Sequence, residues 1–220
     1  MSWIISEFDK RSGGLQTYDH PMRHKERTLD ILNMYEVDNI LLKKIFLRRF
    51  FRIHSKWREI ACSRLAEVGL NDEYIALSVR RGDKALEYGL VSDLQPYIDS
   101  AERAALTHFG GKVPTLFVAS DDCGVMRELR DLRPDWNFVG ECDYATEQNG
   151  FVIADMKNWT EEQTDAHYAK FITEMIAMAS AKYWIGVSTT NVSFWIYFMR
   201  HLNARDDTYK FVDTDELFVH

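Results

Sequence analysis

Ile75-Ala76-Leu77-Ser78-Val79-Arg80-Arg81-Gly82-Asp83-Lys84 is a short apolar run that ends abruptly in charge and glycine. It predicts a buried strand feeding an anion-binding loop. In an open α/β sheet, ligands sit in the crevice beyond the carboxyl ends of the strands, so charges placed there are positioned for binding or chemistry. Arginine suits phosphate because its planar fork donates several hydrogen bonds and stays charged when partly desolvated. Of two adjacent arginines, one can face a ligand while a carboxylate such as Asp83 holds the other. The competing reading, a surface turn with solvated charges, is the usual one for an isolated charge run. The preceding strand favours the site.

Outward from this stretch, the chain alternates between β-rich runs and helical segments, the signature of βαβ units. Strands are expected at 74–79, 115–120, 137–139, 183–187 and 210–212, with helices at 93–109, 124–132, 161–181 and 192–202. Thr160 and Gln163 form a capping box at the start of the longest helix, whose inward stripe is read as Ile172, Met175, Ile176 and Ala179. The expected fold class is α/β, a Rossmann-like, doubly wound, mainly parallel sheet preceded by a short helical segment. Residues 1–70 form an arm (12–25) and two helices (29–52 and 56–68, ending at Gly69), and residues 71–220 form the Rossmann-like domain. Lys43, Lys44, Arg48, Arg49 and Arg52, interleaved with Phe46, Phe50 and Phe51, make a basic aromatic stripe. Its ordinary reading is an amphipathic helix with snorkelling arginines, covered by a partner subunit, a second copy or another lobe; membrane or nucleic-acid binding is the alternative.

Composition narrows the function classes. With 220 residues, 46% hydrophobic and 13% aromatic, the chain can bury a substantial core. A net charge of −7 and a pI near 5.5 disfavour general nucleic-acid binding, which needs a broad basic surface. A phosphate ligand therefore needs local positive charge, which Arg80, Arg81 and Lys84 supply. Cys62, Cys123 and Cys142 are odd in number and widely separated, suggesting neither a disulfide framework nor a zinc site. A reducing compartment fits that pattern, and no apolar run reaches the roughly 18 residues of a membrane span. A soluble, cytoplasmic protein is expected. Two sequons, Asn158-Trp159-Thr160 and Asn191-Val192-Ser193, matter only in a secretory compartment, and a glycan on Asn191 would block the expected pocket.

Two more loops follow predicted strands and should converge on the arginines. In Leu116-Phe117-Val118-Ala119-Ser120-Asp121-Asp122, paired carboxylates end an apolar run. They can hold a divalent metal, orient a ribose or base, or cap the next helix, and capping is expected of one of them. In Trp184-Ile185-Gly186-Val187-Ser188-Thr189-Thr190-Asn191, hydroxyl residues stand at a helix start, where backbone N–H groups form an anion site. N-capping by Thr190 or Asn191 is compatible with that.

Taken together and in this order, the three loops resemble the nucleotide-sugar lobe of α-1,6-fucosyltransferases, the family of N-glycan core fucosylation and Nod-factor fucosylation. The resemblance covers roughly residues 40–220. It implies the donor-binding lobe of a two-lobed, inverting, metal-independent glycosyltransferase that uses GDP-fucose, with a glycan as acceptor and no cofactor. Carried over by position, Arg80 would pair with the β-phosphate and stabilise the leaving group, where negative charge develops. Arg81, Asp83 and Lys84 would shape the phosphate site, and Tyr97 would lie near the donor. Asp121 and Asp122 would hold the nucleotide side, and Thr189 and Thr190, between Ser188 and Asn191 of the same loop, would donate to the phosphates in place of the family's serines. Three positions depart from the family. Tyr88 stands where it has its glutamate base, leaving Glu87 as the candidate; Ser78 replaces a histidine beside guanine; Glu174 replaces a base-recognising aspartate. Two other readings compete: a non-catalytic GDP or GDP-sugar binding module or subunit, and a transferase for another nucleotide sugar.

Overall fold

A computed structural model describes residues 53–70, 72–81, 93–142, 153–188, 190–200 and 208–213. All fall within one compact unit, Leu47–His220. The expected arm, the helix at 29–52 and its basic stripe lie outside the described residues.

The apolar run at Ile75–Val79 forms β1, buried at every position as a strand covered on both faces must be. It pairs in parallel with β2 (Leu116–Ser120) on one side and β4 (Tyr183–Gly186) on the other. Two short strands, β3 (Phe138–Val139) and β5 (Tyr209–Phe211), complete the order β3-β2-β1-β4-β5. All pairings are parallel, so the expected sheet is present, and each strand matches its sequence reading to within a residue at either end.

Parallel pairing obliges a crossover between successive strands, and right-handed crossovers divide the helices by direction of travel. The chain steps from β1 to β3 one way, placing α2 (Gln95–His108) and α3 (Gly124–Leu132) on one face. It returns through α4 (Glu161–Ser180) and α5 (Asn191–Met199) on the other. Preceding them, α1 (Ser55–Glu67) packs on α4. On the first face Ile75, Leu77 and Val79 meet Tyr97, Ile98 and Ala101 of α2 and the Val125, Met126 and Leu129 cluster of α3.

The opposite face is built differently. The Tyr74 hydroxyl donates to the carbonyl of Ala177 at 2.7 Å, tying α4 to the entrance of β1. The buried positions of α4 are Ala169, Thr173, Met175, Ala177 and Met178. Of the stripe read from sequence, Met175 is buried, whereas Ile172, Ile176 and Ala179 are half-buried. The burial follows the small residues at 169, 173 and 177, one helical turn apart, and Thr173 is tolerated there because its hydroxyl donates to the Ala169 carbonyl at 2.8 Å.

One expectation is corrected outright. Cys123 and Cys142 form a disulfide, with Cα atoms 5.5 Å apart, and Cys62 is the free cysteine. Cys123 follows β2 and Cys142 follows β3, so the pairing of those strands brings together thiols 19 positions apart. Gly140 helps. A Cβ there would lie 2.5 Å from the Val118 carbonyl oxygen and 2.8 Å from the Met126 methyl, so only glycine lets the chain leaving β3 pass this close to β2.

Candidate functional site

At the carboxyl ends of β1 and β2, the charges are paired with each other. Asp121, its side chain 3% exposed, accepts the backbone N–H of Arg81 at 2.9 Å and stands 3.5 Å from the Arg80 guanidinium. A buried carboxylate held by one backbone donor and one cation is a rigid strut between the two loops. Neither aspartate is the N-cap of α3, which is Cys123 without a side-chain cap bond; Asp122 instead closes the turn just before it. Its Oδ1 accepts the N–H of Gly124 at 2.8 Å at the start of α3, and its own N–H donates to Ser120 Oγ at 3.1 Å.

The two arginines divide their labour, through a partner that sequence reasoning missed. Arg81 makes a two-pronged pair with Glu128 of α3, Nη1 to Oε1 at 2.6 Å and Nη2 to Oε2 at 2.7 Å, with Asp122 a further 3.5 Å contact. The Glu128 hydrogen bonds come first among the causes that raise Arg81 above its ordinary value, and the reciprocal bond lowers Glu128. Arg81 is therefore a braced residue. Arg80, which follows β1 directly, lies beside Asp121 with one-fifth of its side chain exposed.

On the α4 side a second polar group closes on the same strand ends. Lys170 Nζ donates to the Ser120 carbonyl at 3.4 Å and stands 3.7 Å from Glu174, whose side chain is 12% exposed. Burial pushes the Glu174 carboxyl up to about 7, with Lys170 and Arg80 opposing and Glu141 and Asp121 adding to the rise. His167 is lowered by burial first, then by Lys170 and Arg80. Residues 167, 170 and 174 share one face of α4 by their i, i+3, i+7 spacing, which is the signal that could have revealed His167 and Lys170 beside Glu174. Glu141, after β3, is paired with Arg64 of α1 at 2.5 Å.

The third loop closes at β4. Ser188 donates its backbone N–H to Asp213 at 2.8 Å and its hydroxyl at 2.9 Å. Asp213 follows β5, so this pair ties the ends of two strands. Thr190, 3% exposed, caps α5: its Oγ1 accepts the Ser193 N–H at 3.2 Å and shares a 2.9 Å hydroxyl contact with Ser193 Oγ. Asn191, exposed, opens the helix. Tyr97 is buried in the α2 core at 1% exposure; burial raises its hydroxyl, with Asp213 adding and Arg81 opposing. A groove of about 640 Å³ between α2 and β5 meets the site at Asp213. Of the remaining candidates, Asp83, Lys84, Glu87 and Thr189 lie outside the described residues, as does Tyr88.

Known protein families and curated proteins offer no match to the chain. Solved structures do. POFUT1 in complex with GDP-fucose superposes with a TM-score of 0.52 at 13% identity, covering 78% of this chain and 48% of that one. POFUT1 in complex with GDP gives 0.51 at 13% identity, covering 80% and 51%. This is the fold of a fucosyltransferase lobe. The chain spans about half the length of the fucosyltransferase structures it matches. NodZ alpha-1,6-fucosyltransferase soaked with GDP-fucose also aligns, at 16% identity and a TM-score of 0.44, covering 68% and 43%. That likeness is too slight to assign an α-1,6 family, so the fucosyltransferase relation is established for the fold and no finer.

Proposed function

We propose that the chain binds GDP-fucose through this crevice and transfers fucose to a glycan hydroxyl, as an inverting, metal-independent glycosyltransferase with residues 71–220 as its donor lobe. The supporting observation is the meeting of Arg80, Asp121 and the Ser188–Asp213 turn at the carboxyl ends of adjacent parallel strands, in a fold shared with fucosyltransferases solved with GDP and GDP-fucose. In this reading Arg80 meets the β-phosphate, with Asp121 fixing its position and the Arg81–Glu128 brace holding the loop. Thr189 and the amino-terminal end of α5 at Thr190 and Asn191 complete the phosphate site, while Ser188, whose N–H and hydroxyl are given to Asp213, holds the turn in place. Lys84 and Asp83 extend it, Tyr97 supports its floor, and Glu174 with Lys170 and Asp122 face the nucleoside. The acceptor oxygen bonds to the anomeric carbon as its bond to the phosphate oxygen breaks, GDP leaves with both bonding electrons, and the acceptor proton passes to Glu87.

Calorimetric titration with GDP, UDP, GDP-fucose and GDP-mannose tests the reading. Selective binding of the guanine nucleotides is expected, weakened at least tenfold in Arg80→Ala, equivalent to about 1.4 kcal/mol. Equal binding by wild type and Arg80→Ala would sink the phosphate assignment. A second reading, a GDP-sugar binding module without turnover, is favoured by Tyr88 standing at the base position. Single-turnover release of fucose to an acceptor, lost in Glu87→Gln with GDP affinity intact, decides for the enzyme; binding without turnover decides for the module.

A further inference from the structure

We propose that this chain matures in the secretory pathway and carries an N-linked oligosaccharide on Asn158. Two independent observations point there. The first is the Cys123–Cys142 disulfide, which joins neighbouring strand ends across 19 positions. Cytosolic thiol systems keep such pairs reduced, whereas the lumen of the secretory pathway oxidises them. Each thiol gives up a proton and an electron, and the electron pair goes to the disulfide of a protein oxidoreductase, which is reduced to a dithiol.

The second is the setting of the two sequons. Asn158 and Thr160 are both exposed, at the junction where a 3-10 turn (Ile153–Asn158) gives way to α4. The intervening Trp159 is anchored instead, donating its N–H to the Met156 carbonyl at 3.1 Å and stacking edgewise on His167 with ring centroids 5.2 Å apart. The acceptor amide of Asn158 is therefore open to a bulky, hydrated group, beside a Trp159 that is already anchored. Asn191-Val192-Ser193 is set differently: Ser193 is fully buried and its hydroxyl is engaged with Thr190, inside the first turn of α5. A glycan on Asn191 would crowd the crevice, so Asn158 is the modified position and Asn191 is not. In the transfer, Nδ2 of Asn158 loses a proton and bonds to the anomeric carbon of an oligosaccharide carried on a lipid pyrophosphate. The bond from that carbon to the pyrophosphate oxygen breaks, and the lipid pyrophosphate leaves.

The test uses the full chain purified from the cells that produce it. Alkylation under denaturing, non-reducing conditions should label Cys62 alone, and peptide-N-glycosidase should lower the intact mass by one oligosaccharide while converting Asn158 to Asp. Asn158→Gln, expressed in the same cells, should lack the mass loss, and Asn191→Gln should retain it. Three alkylated cysteines, a glycosidase-insensitive mass, or a mass loss that survives Asn158→Gln would each overturn the proposal.

Discussion

Arg80 and Arg81 are chemically identical neighbours with different employment, and the difference is made entirely by what stands opposite them. Glu128 fixes Arg81 from 47 positions away, and Lys170 reaches the Ser120 carbonyl across 50. The sequence displays the charges at the strand ends but not these meetings, because a side chain's partner depends on which helices lie over the strand. Glu174 illustrates the consequence for pH. Its carboxyl, raised by burial from an ordinary 4.5 to about 7, holds a proton in the native state that the unfolded chain releases between those two values. Its contribution to stability is thus fully present below about pH 4.5 and lost as pH rises through 7. Glu174→Gln should remove this dependence. In urea titrations, the stability of the variant relative to wild type should increase between about pH 5 and about pH 7 and then level off. A difference that stays flat over that range would show that the carboxyl is not raised.

Secondary-structure elements were the most legible level. Apolar runs closed by charge, glycine or small hydroxyl residues marked the five strands, and the reciprocal Thr160 and Gln163 bonds, at 3.2 and 2.9 Å, are present as the capping-box spacing implies. Thr160→Ala should therefore cost about 1 kcal/mol, read as a lowered urea midpoint with an unchanged slope. An unchanged midpoint would mean that α4 is held by its packing alone. Legibility failed within the same helix, where the buried line follows Ala169, Thr173 and Ala177 and not the larger isoleucines. Hydrophobic periodicity weights bulk, whereas a helix lying close on a sheet selects small residues where the backbones approach. Gly140 was silent for a similar reason: the Val118 carbonyl that forbids a side chain there belongs to a strand far back in the chain.

At the scale of the molecule, the α/β class and the parallel sheet could be read from the alternation of strands and helices, but the disulfide could not. A spacing of 19 between cysteines has no signature of its own; it acquires meaning once β2 and β3 are known to be neighbours. Closing a loop of that length restricts the unfolded chain, and reduction should cost about 3 kcal/mol. Urea unfolding with and without reductant, alongside Cys123→Ser/Cys142→Ser, measures it; equal midpoints would show that the bridge contributes nothing. The sheet order also sets a timetable for manufacture. Ile75 lies against Leu116 on one side and Tyr183 on the other, the latter more than a hundred positions downstream. At ribosomal rates of about 5–20 residues per second, the middle strand therefore waits on the order of 5–20 s for its second neighbour to be synthesised. Throughout that interval the backbone edge of β1 that later receives β4 is bare, so the newborn chain depends on a companion to shield it until the second half of the sheet arrives.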